Sequence, residues 1–144
     1  MGVSDLRIET IDGDPEPEDM EVLVAGMLAY HSDKGHPRKV DKVSITIKSE
    51  DGKLVGCAMV AFLYNGMEIN SLWVDESMRG HGLGQKLMEL AEAEGKKRGA
   101  EFAYTNTFTW QAPGFYEKLG YKRYGKLEDF PAGNQLSYYR KDLI

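Results

Sequence analysis

Apolar and polar positions alternate with a period of two along the middle of the chain. Val43, Ile45 and Ile47 interleave with Ser44, Thr46 and Lys48, as in a half-buried strand, and Asp51-Gly52 follows as a hairpin signal. A second strand over residues 53–64 runs into Asn65-Gly66, another hairpin signal, and a third covers residues 67–74. The three predict an antiparallel meander. Upstream, Val3, Leu6, Ile8 and Ile11 suggest a first strand, and residues 12–17 are turn material. A helix from Met20 to about His31 carries Val22, Leu23, Met27 and Tyr30 on an apolar stripe, with Glu18 and Asp19 at its start. Residues 32–39 read as a polar, mobile connection.

After the meander the period changes to that of a helix. Leu83, Leu87, Leu90 and Ala91 share one face, Lys96, Lys97 and Arg98 occupy the last turn, and Gly99 stops it. Residues 101–107 then read as a strand, residues 112–119 as a short helix entered at Pro113, and residues 121–127 and 135–141 as two more strands. The order is α+β, or mixed α/β, around one central sheet. With no repeat or linker, residues 1–144 are expected to form a single domain.

Charge and composition narrow the partners. A formal net charge of −5, from 18 basic and 23 acidic residues, leaves no surplus to neutralise phosphates, so neither a nucleic-acid nor an anionic-membrane partner is expected. A mildly acidic body suits a cationic substrate such as an amine, and equally suits simple solubility. No apolar run approaches the roughly 20 residues that cross a bilayer, and residues 1–5 lack the regions of a signal peptide, so a cytoplasmic location is expected. Cys57, the single cysteine, excludes an internal disulfide and reads as a buried inert thiol. No metal site is expected.

The run Arg79-Gly80-His81-Gly82-Leu83-Gly84, between the third strand and the helix, has the makings of an anion cradle. Its glycines let the backbone turn tightly and present several N–H groups to one concavity, and the helix start adds unpaired N–H groups and a positive dipole end. A P-loop would need Gly-Lys followed by Ser or Thr, whereas Gly84 precedes Gln85-Lys86-Leu87. A dinucleotide fingerprint would need glycine where Gln85 stands, and both motifs need a βαβ unit that the hairpins upstream contradict.

Arg79, Gly82 and Gly84 do fit Arg/Gln-x-x-Gly-x-Gly/Ala after Leu72-Trp73-Val74-Asp75-Glu76, which resembles motif A of the GNAT superfamily of acyl-CoA-dependent N-acyltransferases. Downstream, the segment from Ala112 through Tyr116 to Gly120-Tyr121 is similar to that family's Ala-x-x-x-Tyr-x-x-x-Gly-Phe/Tyr pattern. The resemblance implies a GNAT-like mixed, mostly antiparallel sheet flanked by helices, with acetyl-CoA as cosubstrate. It implies that the backbone of Leu72, Trp73 and Val74 pairs with the pantetheine arm, and that N–H groups of Arg79, Gly80, His81, Gly82, Leu83, Gly84 and Gln85 hold the pyrophosphate. The Arg79 and Lys86 side chains either add charge there or are solvated. Ala112 belongs to the second pattern. Thr109 stands seven residues before Tyr116, where many members carry Asn; its hydroxyl can bond to pantetheine or to backbone. Trp110 and Gln111 help shape the site, or Trp110 merely caps the core.

Acyl transfer to nitrogen needs a neutral amine, a polarised thioester carbonyl and a proton for the departing thiolate. Tyr116 aligns with the family's general acid, against the plain reading of an aromatic beside Phe115. Glu68 lies where some members carry a general-base glutamate; the other reading is an exposed edge charge. Alternation puts Glu68, Asn70 and Leu72 on one face of the strand. The expected reaction moves an acetyl group to a primary amine of a small molecule or peptide by direct attack in a ternary complex. The alternative is a non-catalytic acyl-CoA-binding regulatory module. Strands near the C-terminus often mediate dimers in proteins of this resemblance, so a homodimer is within the expectation. No motif names the amine.

Overall fold

The computed structural model describes residues 2–144, which divide into two units, one ending at Arg38 and the other Lys39–Ile144. The second holds a six-stranded sheet: β1 (Val40–Lys48), β2 (Leu54–Leu63), β3 (Gly66–Val74), β4 (Phe102–Phe108), β5 (Lys122–Glu128) and β6 (Gln135–Asp142) in the order β1-β2-β3-β4-β6-β5. Every neighbouring pair is antiparallel except β3 and β4, which are parallel. The meander forms as its alternation predicts, with its turns differing in detail. The β1–β2 loop closes through Ser49 N–H to Lys53 O and Gly52 N–H to Ser49 O, with Gly52 left-handed at φ 84°. The β2–β3 loop is Tyr64-Asn65 rather than Asn65-Gly66, because Leu63 already pairs with Gly66. Tyr64 takes the positive φ of 51°, and Gly66 lies in the strand under the Phe102 ring.

A parallel pair needs a crossover, and α2 (Leu83–Lys97) supplies it between β3 and β4. Its buried face is Leu87, Met88, Ala91 and Gly95, so Leu90, expected inward, turns out to solvent. At 100° per residue Met88 continues the stripe from Gly84 through Ala91 to Gly95, and Leu90 falls beside it. Gly95 lets the helix close on the sheet: a Cβ there would stand 3.0 Å from Met67 Sδ and 3.2 Å from Leu143 Cδ1. Val60, Met67, Ile69 and Ala103 from the sheet complete this core with Tyr121 and Tyr139. Each large apolar side chain buried there contributes about 1.5–3 kcal/mol.

The register of β2 against β3 slips once. Met59 opposes Ser71 and Val60 opposes Ile69, so Asn70 is the extra residue of a β-bulge. The bulge reverses the alternation beyond it. Ile69 and Leu72 oppose Val60 and Ala58 on the same core face, and Leu72 packs there, so it does not share a face with Glu68. Cys57, opposite Trp73, is half-buried rather than buried.

The first unit carries α1 (Pro17–Asp33), with Pro17 opening the helix and Glu18 and Asp19 in its first turn. The strand expected around residues 3–11 does not form. A single 3-10 turn spans Val3–Asp5, and the stretch to Glu16 is irregular, with Ile8 95% exposed. Apolar alternation makes a strand only where a ladder partner exists, and no described residue pairs with this stretch. Among the described residues no helix is long and apolar enough to cross a membrane.

Candidate active site

From the end of β3 the chain turns sharply into α2. Asp75 N–H donates to Val55 O at 2.8 Å, and the Asp75 carboxylate accepts from the Ser77 N–H at 3.1 Å and from its hydroxyl, which hold the carboxyl below its ordinary range. The Arg79 Nε then donates to Val74 O at 3.1 Å, tying the loop to the strand end. Gly80 and Gly82 follow with φ of 82° and 76°, left-handed conformations that admit glycine readily. Gly82 is the N-cap of α2 and brings no side-chain cap. The N–H groups from Gly80 to Gln85 donate to no acceptor among the described residues. These donors, beside a helix N-terminus, fit an anion.

The glycine turn borders a groove of about 690 Å³. It receives every residue expected at the cofactor except His81 and Thr109: Leu72, Trp73 and Val74 on one side, Arg79, Gly80, Gly82, Leu83, Gly84 and Gln85 along the turn, and Ala112 opposite. His81 is exposed outside the groove. Thr109 uses its hydroxyl on backbone, donating to Gln135 O at 3.1 Å and accepting from Gln135 N–H at 2.8 Å. Trp110 and Gln111 do line the groove; Trp110 is exposed and stacks on Phe108 at 4.7 Å. The groove opens because β3 and β4 separate. They pair only from Gly66 opposite Phe102 to Glu68 opposite Tyr104, so the β4-facing edge of β3 from Asn70 to Val74 has no strand on it among the described residues.

The point where the strands part carries the polar side chains. Buried Thr105 donates from its hydroxyl to Ile69 O at 3.0 Å and stands in hydrogen-bond contact with the Tyr116 phenol. Tyr116 comes from α3 (Pro113–Lys118), is 6% exposed, and meets Phe115, Tyr121 and Tyr139 ring to ring. Burial pushes its phenol above the ordinary value, and the Thr105 contact offsets part of that rise. Tyr116 is therefore protonated at neutral pH, as a proton donor must be. Glu68 sits on the other face, half-buried on a central strand rather than at an edge. Its carboxylate accepts from the Asn70 amide and borders a small cavity shared with Tyr104, Thr105 and Tyr138.

Residues 10–121 match the acetyltransferase (GNAT) family. This chain belongs to that family. An acetyltransferase of Agrobacterium fabrum is 34% identical over 137 residues, covering 92% of this chain and 94% of its own. Blasticidin-S acetyltransferase of Streptomyces morookaense is 35% identical over 85 residues, 58% of this chain and 62% of its own. The crystal structure of an acetyltransferase from Bacillus cereus superposes with a TM-score of 0.81 at 29% identity, over 92% of this chain and 97% of that one. The present chain is accordingly an acyl-CoA-dependent acetyltransferase of the GNAT family.

Three residues of this GNAT site escape the sequence. Met78 and Phe115 line the groove, and Phe115 lies under Gly84, where a Cβ would touch its ring at 3.5 Å. Thr105 joins Ile69 to Tyr116 across 36 positions on one side. The spacing from Gly84 to an aromatic carries no local signal, and neither does a threonine within an alternating strand.

Proposed function

We propose that the groove binds acetyl-CoA and that the enzyme moves its acetyl group to a primary amine of a small molecule or peptide, by direct attack in a ternary complex. The observation that carries this reading is the meeting of two features in one groove: the β4-facing edge of β3 at Leu72, Trp73 and Val74, which has no strand on it among the described residues, and the N–H run from Gly80 to Gln85, which donates to no acceptor among them. An extended pantetheine arm suits the first, and a pyrophosphate suits the second. His81 lends its N–H to that run, and its side chain stays in solvent. Arg79, with Nε engaged by Val74 O, keeps its terminal guanidinium nitrogens for phosphate oxygens. Thr109 acts by fixing the chain before α3 through Gln135, and Ala112, whose N–H donates to Thr107 Oγ1 at 3.1 Å, caps that helix.

In the transfer, Glu68 takes the proton that an ammonium must lose before its nitrogen can attack the thioester carbonyl carbon. As the carbon–sulfur bond breaks, Tyr116 gives its proton to the departing thiolate, and the second proton that the acylated nitrogen carries is lost through solvent, which returns Tyr116 to the phenol and leaves an amide and a free thiol. Both side chains stand at the strand separation, one on each face of the sheet. The family match spans both units of the chain, which supports reading residues 1–144 as one functional domain.

Calorimetric titration with acetyl-CoA tests the cofactor reading, and absence of binding at a hundredfold excess over protein overturns it. Thiol release from acetyl-CoA in the presence of amines tests the chemistry. Tyr116→Phe removes one oxygen and should slow transfer by about 10²-fold or more while leaving acetyl-CoA affinity within about twofold. An unchanged rate means that Tyr116 is not the acid. Binding without turnover on any amine overturns the amine as acceptor.

A further inference from the structure

The cavity that borders Glu68 is smaller than the roughly 300–1,000 Å³ of ordinary ligand pockets. It measures about 180 Å³, and Tyr104 and Tyr124 on its wall also line a second cavity of about 590 Å³ on the same sheet face. That larger cavity is walled by rings. Phe102 and Tyr104 stand 5.8 Å apart on β4, and Tyr124 on β5 joins them, 6.1 Å from Tyr138, which lines the smaller cavity. The two cavities form a polar end and an aromatic body on the side of the sheet away from Tyr116.

Charge in this pair of cavities is one-sided. The guanidinium of Arg140 lies over the Phe102 ring at 4.0 Å and is paired with Asp142 at 3.1 Å, so its charge is already matched. Glu68, held only by the neutral Asn70 amide, is the uncompensated charge. A cation is therefore welcome at the polar end, helped by ring faces, whereas the cation on the lining, Arg140, is already shared with Asp142 and favours a carboxylate less.

We infer that the acceptor is a primary amine on an uncharged, flat, apolar body, an aromatic or heteroaromatic ring a few bonds from nitrogen. The ammonium end enters the small cavity at Glu68, and the body lies against Phe102, Tyr104 and Tyr124. This inference rests on the proposed acetyl transfer and adds the class of amine. Tyr124 is the specificity residue that reveals it. It is the extra residue of a bulge between Arg123 and Gly125 opposite β6, and it is 61% exposed, so its replacement does not unpack the core.

Acceptor kinetics by thiol release decide it, with phenethylamine, ethanolamine and phenylalanine as probes. Ethanolamine lacks the ring, and phenylalanine keeps the ring and adds a carboxylate on the carbon that bears the amine. The kcat/KM for phenethylamine should exceed both others at least tenfold. Tyr124→Ala should raise KM for phenethylamine about tenfold, equivalent to about 1.4 kcal/mol, and Tyr124→Phe should keep it within about threefold. Acetyl-CoA affinity, read by calorimetry on the same proteins, should stay within about twofold. Ethanolamine or phenylalanine matching phenethylamine overturns the inference, as does a Tyr124→Ala KM equal to that of the parent. Acetyl-CoA that binds and is spent only on polar amines overturns the acceptor class and leaves the transfer reading standing. Failure to bind acetyl-CoA overturns the transfer reading itself and this inference with it.

Discussion

Replacing Gly82 by alanine isolates what the left-handed backbone contributes to the site. Gly82 has φ 76° and ψ 13° as the residue that caps α2, and a Cβ built there meets nothing within 4 Å. Collision with neighbours therefore costs nothing, and the whole penalty is the local one of an L residue in the left-handed region, about 1–2 kcal/mol. If the turn keeps its shape, that penalty appears as a loss of roughly 3–10 °C in Tm for a chain of this length. If the turn relaxes instead, the N–H groups of Gly80 to Gln85 no longer converge, and the same free energy appears as a roughly 5–30-fold weaker Kd for acetyl-CoA.

Thermal unfolding with and without acetyl-CoA, together with calorimetry, measures both shares. Two variants bracket the result. Gly82→Asn should recover most of the loss, because asparagine tolerates this conformation. Gly84→Ala should go the other way: residue 84 lies inside α2, its new Cβ meets the Phe115 ring at an ordinary 3.5 Å, and alanine for glycine in a helix is worth about 0.5–1 kcal/mol. A Gly82→Ala protein with parental Tm and Kd would refute the reasoning. So would an asparagine variant no better than the alanine one, since backbone conformation would then not be the cause.

Burial raises the phenols of both Tyr116 and Tyr121, while in the unfolded chain they ionise near pH 10. The native state holds more protons above that pH, so the stability from these groups is complete below about pH 10 and is lost as pH climbs toward the folded values. Urea midpoints at pH 8, 10 and 11 should fall steeply over the last interval, and less steeply for Tyr121→Phe; equal slopes would remove the buried phenols as the cause. At Gly66 a Cβ would stand 2.8 Å from Phe102 Cζ, so Gly66→Ala must displace that ring and should cost about 1–3 kcal/mol by urea unfolding. An unchanged midpoint would mean that the ring moves freely.

What could be read in advance divides by the range over which the cause acts. The glycine turn was legible because left-handed backbone at Gly80 and Gly82 is a local demand that only a few residue types meet. The meander was legible because alternation and turn residues act over a few positions. The bulge at Asn70 was not, since an extra residue exists only relative to a partner strand, and with it went the face on which Leu72 lies. The strand expected around residues 3–11 failed on the same ground, having apolar alternation and no partner. Leu90 was misplaced because a helix stripe drifts, and only the packing of Met88 and Gly95 on the sheet shows which edge of the stripe is inside.

The strand separation itself follows from the topology. β3 and β4 are the single parallel pair, and each is also bonded to an antiparallel neighbour along most of its length: β3 to β2 as far as Val74, and β4 to β6 as far as Phe108. The outer ladders outlast the inner one, which ends at Glu68 and Tyr104. Each strand thus follows the twist of its outer partner, and past Glu68 the two are drawn apart. Thr105 bridges the vertex through Ile69 O, and beyond it no strand among the described residues fills the gap. A parallel pair requires a crossover, the crossover places its glycine turn at the open end of β3, and the groove, its anion donors and the cavity at Glu68 all derive from that one change of strand direction.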